Sequence, residues 1–155
     1  MYATILVPVD GSAAAGRALD EAIRLARLLG STLRILHVVE SRAPTAASEY
    51  APAEQLVEDW KIAGEAVVPA ALERARSSGV AADGSVRRDA GLRVSEVILR
   101  EAIDNAADLI VMGAHGRSGS APAGVGGDAE FVVRRSPVPV LLVRNEPADL
   151  SAERP

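Results

Sequence analysis

Six of the thirteen glycines in this 155-residue chain lie in one short segment, from Gly113 to Gly127. Backbone N–H groups can approach an anion closely where no Cβ atom intervenes, and a helix that follows such a loop adds its positive N-terminal end. A second polar turn, Asp10-Gly11-Ser12, ends the first apolar run of the chain. The sequence therefore predicts that an anionic ligand binds at one or both of these segments.

The lysine and cysteine content narrows the chemistry of such a site. Lys61 is the single lysine, beside sixteen arginines, and no G-x-x-x-x-G-K-[ST] pattern surrounds it, so the chain has no P-loop. Without cysteine there is no thiol nucleophile, zinc–thiolate site or disulfide. Any phosphate must therefore be bound by arginine, backbone N–H groups and hydroxyls. The formal net charge of −4 disfavours general electrostatic attraction to nucleic acid.

Three polar side chains near these segments each have two interpretations. Asp10 either contacts the ligand or caps the turn and the helix that follow it. His115 has no evident nucleophile or carboxylate partner, which favours backbone contacts within the loop over acid–base chemistry. His37 lies in a predicted strand and is expected to be a packed histidine. Two histidines on separate strands do not favour a metal site.

The hydrophobic pattern alternates between strands and helices along the chain. Short apolar runs rich in β-branched residues predict strands, and apolar residues at helical spacing predict the helices between them. The predicted strands are Ala3–Val9, Thr32–Val39, Ala82–Arg88, Leu109–Met112 and Val138–Val143, with the first helix over Ala13–Leu29 and the last over Asp128–Arg135. This alternation predicts an α/β fold: a five-stranded parallel sheet sandwiched by helices in one domain over residues 1–145, followed by a polar tail over 146–155.

Capping residues and prolines mark where the elements begin and end. Ser12 is the predicted N-cap of the first helix, and Gly30 is its C-terminal stop. Pro69 interrupts the helical spacing that runs from Leu56 to Ala75, which predicts a kink or two segments, with Pro69 opening the second. The segment from Ser41 to Pro52 has no period and is predicted to be a surface loop.

The last strand has the sequence features of a sheet edge. Pro137 and Pro139 stand at its start, and proline cannot donate a hydrogen bond to a neighbouring strand. An apolar edge needs covering, so we predict a homodimer that forms through Val138 to Val143. The N-terminus has no basic region followed by an apolar stretch, and no apolar run approaches the roughly 20 residues that span a bilayer. We therefore expect a cytoplasmic protein with no membrane or nucleic-acid partner.

Three segments together resemble the universal stress protein family. Residues 5–12 read ILVPVDGS, residues 108–119 read DLIVMGAHGRSG, and residues 136–144 read SPVPVLLVR. They are similar to the family's first strand, to its fourth strand with the following loop, and to its last strand. The similarity extends over nearly the whole chain. It implies a Rossmann-like sheet of strand order 3-2-1-4-5 and a regulatory protein of the stress response that binds an adenine nucleotide, ATP.

The family's ATP-binding members carry the motif G-x2-G-x9-G-[S/T], which Gly113, Gly116 and Gly126 match. The resemblance implies a site at the carboxyl ends of the strands, where the strand order of such sheets reverses. Pro8, Val9 and Val38 would line the adenine, and Asp10 would bind the ribose or help to position a metal. The residues implied around the ribose and phosphates are Gly113, His115, Gly116 and Arg117, with backbone N–H groups of Gly126 and Gly127 directed at the phosphates. Met112 is also implied in the site.

The chain departs from the family motif after its third glycine, because Gly127 stands where serine or threonine is expected. Gly127 keeps the N–H group but lacks a hydroxyl, and a hydrogen bond to a charged group contributes about 1.5–3 kcal/mol. The carboxylate of Asp128, which follows, would cap the last helix and repel a phosphate unless magnesium bridged the two. We therefore hypothesise ATP binding that is weakened or magnesium-dependent.

Two alternative functions remain open at this point. Gly127 and Asp128 favour a family member that binds no nucleotide and acts as a dimeric interaction protein. The other alternative is an adenylating or ATP-hydrolysing enzyme of a related fold. The sequence shows neither a lysine cradle nor a base positioned for water, and efficient phosphoryl transfer would need such groups.

Overall fold

Strands and helices alternate along the part of the chain that the structure, a computed structural model, describes: residues 1–40, 53–115 and 124–144, with the side chains of 53–61 and 63 left aside. The elements are β1 (Thr4–Pro8), α1 (Ala13–Leu29), β2 (Thr32–Val39), α2 (Ala53–Ser77), β3 (Ala82–Arg88), α3 (Val94–Asp104), β4 (Leu109–Gly113), α4 (Gly127–Arg135) and β5 (Val140–Val143). The predicted loop over Ser41–Pro52 and the predicted polar tail lie outside the described residues. Among the described residues, no helix combines the length and the apolar character that crossing a membrane requires.

The five strands form one parallel sheet in the order β3-β2-β1-β4-β5, which confirms the predicted fold and strand order. β1 lies at the centre, where Ile5 is opposite Leu33 of β2 and Leu109 of β4. β5 lies at an edge, as the prolines at its start predict. This strand begins at Val140 rather than Val138, and the carbonyl of Pro139 accepts a hydrogen bond from Ile110 N at 3.0 Å.

The helices cover the two faces of the sheet in pairs, and each face has its own apolar core. Side chains alternate along a strand, so neighbouring residues of β1 contribute to opposite faces. Ile5 and Val7 pack with α1 and α2 on what we call the α1/α2 face, and Leu6 packs with α3 and α4 on the α3/α4 face. The carboxyl ends of all five strands meet at one edge of the sheet, which we call the carboxyl edge.

The ends of α1 agree with the capping residues in the sequence, whereas α2 does not follow the prediction for Pro69. Ser12 Oγ accepts a hydrogen bond from Ala15 N at 3.2 Å, and Gly30 ends α1 with a positive φ of 71°. α2 is a single helix that continues through Pro69, so the predicted second segment opening there is wrong, while the alternative of a kink stays a prediction. Val68 and Ala71 are buried against the sheet. Tertiary packing of this kind offsets the local cost of proline, about 3 kcal/mol.

A buried carboxylate fastens α3 to the sheet. Glu101 is 4% exposed and accepts hydrogen bonds from Ser85 Oγ at 2.9 Å, Arg87 Nε at 3.0 Å and Arg34 Nη2 at 3.1 Å. Burial raises the pKa of Glu101, but the hydrogen bonds from Arg87, Ser85 and Arg34 outweigh it, so the pKa lies below its ordinary value. The ionised side chain thus links α3 with both β2 and β3.

The start of β1 is held by a residue from the far part of the chain. Asp108, which directly precedes β4, accepts hydrogen bonds from Ala3 N at 2.8 Å and Thr4 N at 2.9 Å through the same carboxylate oxygen. The backbone N–H of Asp108 donates to Thr4 O at 2.9 Å. The aspartate that opens one of the three family-like segments therefore has a structural role at the edge opposite the carboxyl edge.

Candidate functional site

The turn after β1 is stabilised by its own side chains. Asp10 Oδ1 accepts a hydrogen bond from Ser12 N at 2.9 Å, and Gly11 has a φ of 82°, which glycine adopts without strain. The structural interpretation of Asp10, as the residue that caps this turn, is therefore confirmed. Its half-buried carboxylate lies at the carboxyl edge beside the start of α1, where the resemblance places the ribose.

Val9, which follows β1, is fastened to β2 by both of its backbone groups. Val9 N donates to Leu36 O at 2.8 Å, and Val9 O accepts from His37 Nδ1 at 2.8 Å. Because a carbonyl only accepts, Nδ1 of His37 carries the proton. His37 is 1% exposed, which confirms that it is a packed histidine. Its Nε2 lies against Gly64 of α2 and has no hydrogen-bond partner among the described residues.

The four apolar residues implied in the site do not share one face of the sheet. Val38 and Met112 belong to the core of the α3/α4 face, and strand alternation puts Pro8 on that side with Leu6. Val9 belongs to the core of the α1/α2 face, with both backbone groups already hydrogen-bonded. The sheet therefore separates Val9 from the side chains of Val38 and Met112.

Gly113, the last residue of β4, has a packing reason to be glycine. A Cβ atom at this position would lie 2.8 Å from the Cβ of Ala14 and 2.9 Å from its backbone carbon. Contacts that short do not occur in proteins, so the missing Cβ lets α1 approach β4 at the point where the strand order reverses. The first glycine of the motif thus sets the distance between α1 and β4.

The two ends of the glycine-rich loop are joined at its base by a backbone hydrogen bond. Gly126 N donates to Ala114 O at 2.7 Å, while Ala114 N donates to Val143 O of the neighbouring strand β5 at 2.9 Å. The N–H group of Gly126, one of the two that the resemblance directs at the phosphates, is therefore engaged within the protein. His115 is half-buried at this base. Gly116 and Arg117 lie outside the described residues.

Among the residues that the structure describes, none supplies a side-chain cap to the start of α4. Gly126 is the N-cap residue, and Gly127, which the sequence placed in the loop, is the first residue of the helix. The first intrahelical bond runs from Glu130 N to Gly126 O at 2.9 Å. The three N–H groups before it, those of residues 127–129, have no carbonyl within the helix to bond to, as in any helix. They lie next to the end of β4, since Gly126 N is bonded to Ala114 O, and constitute a potential anion site at the carboxyl edge.

Asp128 caps a different helix from the one predicted. Its Oδ1 accepts a hydrogen bond from Ser95 N, in the first turn of α3, at 3.3 Å. The prediction that this carboxylate caps α4 is wrong, because α3 packs beside α4 and offers its own unpaired N–H group to the side chain. The negative charge is directed at α3 rather than at the N–H groups of α4.

The start of α3 is capped by further carboxylates. Asp89 Oδ1 accepts from Gly91 N at 3.3 Å, and Glu96 Oε2 accepts from Arg93 N at 2.8 Å. These residues, together with Glu40 at the end of β2 and with Asp128, line a cavity of about 410 Å³. This cavity was not predicted from the sequence. The local signal for it is the pair Asp89 and Gly91 after β3, which resembles the pair Asp10 and Gly11 after β1: in both, an aspartate caps the turn that follows a strand.

The carboxylates of the cavity do not form a ready-made metal site. In the described parts of the chain, no group of three or more histidine, aspartate or glutamate side chains has an arrangement that would hold a metal ion. A divalent cation bound here would need oxygen ligands from another molecule, such as a phosphate. The described geometry therefore combines a buried apolar floor, a helix start without a cap and an acidic cavity beside it.

Comparison with known proteins gives a consistent result. The chain matches the model of the universal stress protein family over residues 1–144. A relative from Thermus aquaticus, described as a universal stress protein in the 3′ region of QAH/OAS sulfhydrylase, is 36% identical over 147 residues, covering 93% of this chain and 100% of the relative. Among solved structures, the universal stress protein UspA from Lactobacillus plantarum is 25% identical in sequence and has a TM-score of 0.76. The match covers 92% of this chain and 98% of the UspA chain. A universal stress protein solved in complex with cAMP is 25% identical in sequence and has a TM-score of 0.63. That match covers 94% of this chain and 99% of the other.

Proposed function

Since the chain belongs to the universal stress protein family, we propose that it binds an adenine nucleotide, ATP, as a regulatory ligand at the carboxyl edge of its sheet. We propose in addition that it acts in the cytoplasm as part of a stress response. The complex of a similar universal stress protein with cAMP supports the adenine nucleotide as the ligand class. The three motif segments, whose ends meet at this edge, support the location.

The uncapped start of α4 is the observation that carries the proposal. Three helices have a described start at the carboxyl edge, and side chains cap two of them: Ser12 caps α1, and Asp128 caps α3. α4 begins with Gly126 and Gly127, and no side-chain oxygen of the described residues caps it. The positive end of a helix in this state favours an anion, and the phosphates of a nucleotide supply one.

The residues around this helix start fit the rest of a nucleotide. Pro8, Val38 and Met112 form the apolar floor on the α3/α4 face, where an adenine would lie. Asp10 accepts hydrogen bonds from the ribose hydroxyls. Gly127 and Arg117 bind the phosphates, while His115 and Gly116 adjoin the ribose. Val9 and Gly126 support the site indirectly, since their polar groups are bonded within the protein.

Magnesium accompanies the phosphates in this proposal. The cavity beside α4 is lined by Glu40, Asp89, Glu96 and Asp128, and a bare polyphosphate would be repelled by them. Mg²⁺ is typically bound by one or two carboxylates together with substrate phosphates. Because Asp128 is directed at α3, its charge repels the phosphates less than a carboxylate capping α4 would.

An ATP titration followed by calorimetry, with and without magnesium, tests the proposal. Saturable binding that strengthens when magnesium is added is the expected result. Release of nucleotide from the purified protein on heat denaturation would give independent support. The absence of binding for ATP, ADP, AMP and adenosine under both conditions would overturn the proposal.

A second candidate, a dimeric interaction protein that binds no nucleotide, is supported by the free edge of β5. Within the described residues β5 pairs with β4 alone, and Leu141 on this strand is 37% exposed. A second copy of the chain would cover this edge. Sedimentation of the wild type and of Leu141→Glu tests the dimer: the wild type is expected to be dimeric and the variant monomeric. Nucleotide bound to the dimer would exclude the candidate as the whole function.

A further inference from the structure

We propose that Arg93 binds the terminal phosphates of the nucleotide and thereby makes the site prefer more highly phosphorylated ligands. This inference rests on the proposed function, since it concerns the same site. Arg93 directly precedes α3, and its exposed side chain lines the cavity beside the start of α4. The resemblance to the family did not include this residue.

The position of the Arg93 guanidinium is fixed relative to α4 by Phe131. Its Cζ atom lies 5.8 Å from the centroid of the Phe131 ring. Phe131 follows Gly127 by four residues, which is about one helical turn, or about 5.4 Å along the helix. Ser95 and Asp128, which are hydrogen-bonded to each other, hold the two helix starts together. The guanidinium therefore lies beside the first turn of α4, where the N–H groups of residues 127–129 have no partner in the helix.

The contact with Phe131 orients Arg93 and leaves its donors available. A guanidinium within about 6 Å of an aromatic centroid is attracted to the ring, and its N–H groups stay in the plane of the guanidinium, free to bond other groups. Arg135 lies over the same ring, at 4.8 Å, from the other end of α4. Phe131 thus gathers two positive charges, of which only Arg93 adjoins the helix start.

The acidic side chains of the cavity are not paired with Arg93. Three of them accept hydrogen bonds from backbone N–H groups of the turn before α3 or of its first turn: Asp89 from Gly91, Glu96 from Arg93 N, and Asp128 from Ser95. In the described part of the chain, no carboxylate forms a salt bridge with the Arg93 guanidinium. The planar guanidinium of Arg93 carries N–H donors in a fork that matches the geometry of a phosphate. The single lysine of the chain supplies no such fork.

Calorimetric titration of the full chain with ATP and with adenosine tests this role, using Arg93→Gln and the matched control Arg135→Gln. For Arg93→Gln, the affinity for ATP is expected to fall by about tenfold. This is the low end of the range for loss of a hydrogen bond to a charged group, chosen because the site is exposed. The affinity for adenosine is expected to stay unchanged. Arg135→Gln is expected to bind both ligands as the wild type does. Arg93→Lys, which keeps the charge without the planar fork, should bind ATP with an intermediate affinity.

Two results would overturn the role of Arg93: unchanged ATP affinity in Arg93→Gln, or equal losses for ATP and adenosine. The second result would mean that the substitution disturbs the start of α3 and not a phosphate contact. Failure of the proposed function is distinguishable, because the wild type itself would then bind neither ligand. Thermal unfolding of each variant checks that the exposed substitutions leave the fold intact.

Discussion

The two faces of the sheet differ in how their helices are attached. On the α1/α2 face, apolar side chains fill the core and crowded glycines, Gly64 and Gly113 among them, allow the helices to approach closely. On the α3/α4 face, the core is smaller, and charged contacts supplement it through Glu101 and Asp128. The first face depends mainly on shape, since the ion pair between α1 and α2 is exposed, and the second depends in addition on buried hydrogen bonds and charge.

This difference separates the scaffold from the ligand-binding side of the molecule. The residues of the α1/α2 face that the resemblance linked to the ligand, Val9 and Gly113, are occupied in packing. The candidate phosphate groups, the uncapped start of α4 and Arg93, lie on the α3/α4 face. A change on the first face should therefore act on stability, and a change near α4 should act on binding.

The largest effects on stability are expected from alanine at the crowded glycines. A Cβ atom at Gly64 would overlap with His37 Nε2, and one at Gly113 would lie 2.8 Å from the Ala14 Cβ. Gly64→Ala and Gly113→Ala are each expected to lower the free energy of unfolding by about 3 kcal/mol, the upper part of the range for overpacking. Urea denaturation measures the loss.

Gly127→Ala is the matched control for both substitutions. A Cβ atom there meets no other heavy atom within 4 Å. The free energy of unfolding should stay the same or rise by about 0.5 kcal/mol, since alanine loses less conformational entropy on folding than glycine. Equal losses at all three glycines would contradict the contrast between the faces.

The next largest effect is expected at Glu101, and it should depend on pH. Glu101→Gln removes the charge that Arg34 and Arg87 face, which should lower the free energy of unfolding by about 2 kcal/mol at neutral pH. The pKa of Glu101 is below its ordinary value in the folded state. The stability that its charge contributes is therefore complete above the ordinary pKa of glutamate and is lost as the pH falls through the lowered value.

The difference between wild type and Glu101→Gln should accordingly shrink as the solution is acidified, which urea denaturation across a pH series measures. The exposed Glu73, which accepts a hydrogen bond from Ser77 Oγ, provides the control. Glu73→Gln should change stability little at neutral pH, because exposed contacts of this kind contribute little. A difference at Glu101 that stays constant down to acid pH would show that its charge is not the cause.

Gly127→Ser is expected to change binding without changing stability. The hydroxyl restores the group that the family motif has at this position, so the affinity for ATP should rise by about tenfold, as measured by calorimetry. Gly127→Ala serves again as the control, since it adds a Cβ atom but no hydroxyl. If alanine raises the affinity as much as serine does, the hydroxyl is not the cause.

The smallest effect is expected at Asp128, a residue of α4 whose side chain caps α3. Asp128→Ala removes the acceptor for Ser95 N and should lower the free energy of unfolding by about 1 kcal/mol, as loss of a helix cap does. Asp104 lies at the other end of α3, where a negative charge is unfavourable, so Asp104→Ala should cause no loss. Thermal denaturation compares the stability of the two variants. Equal effects would show that Asp128 does not stabilise α3 as its cap.

Local features of the fold were predictable where the cause is local. Ser12 caps α1 and Gly30 ends it because the unpaired groups at helix ends select those residue types. The strand order came from the resemblance and not from the hydrophobic pattern, which has no information on which strands are neighbours. Pro69 was misjudged because the burial that keeps α2 continuous comes from the sheet beneath it.

The candidate site was predictable only in part. Strand alternation shows that Pro8 and Val9 point to opposite faces, so the position of Val9 was available from the sequence. The partner of Asp128 was not available, because it depends on how α3 and α4 pack together. Arg93 was missed for the same reason, since its neighbour Phe131 lies far along the chain on another helix.

The central position of β1 has a consequence for synthesis of the protein. Of the five strands this one is synthesised first, yet its neighbour β4 and the Asp108 side chain that holds it follow only later, Asp108 standing 104 residues after Thr4. Until then one edge of an apolar strand remains open to pairing with other chains. Nascent chains and premature termination products that stop before Asp108 are thus the forms of this protein most dependent on chaperones.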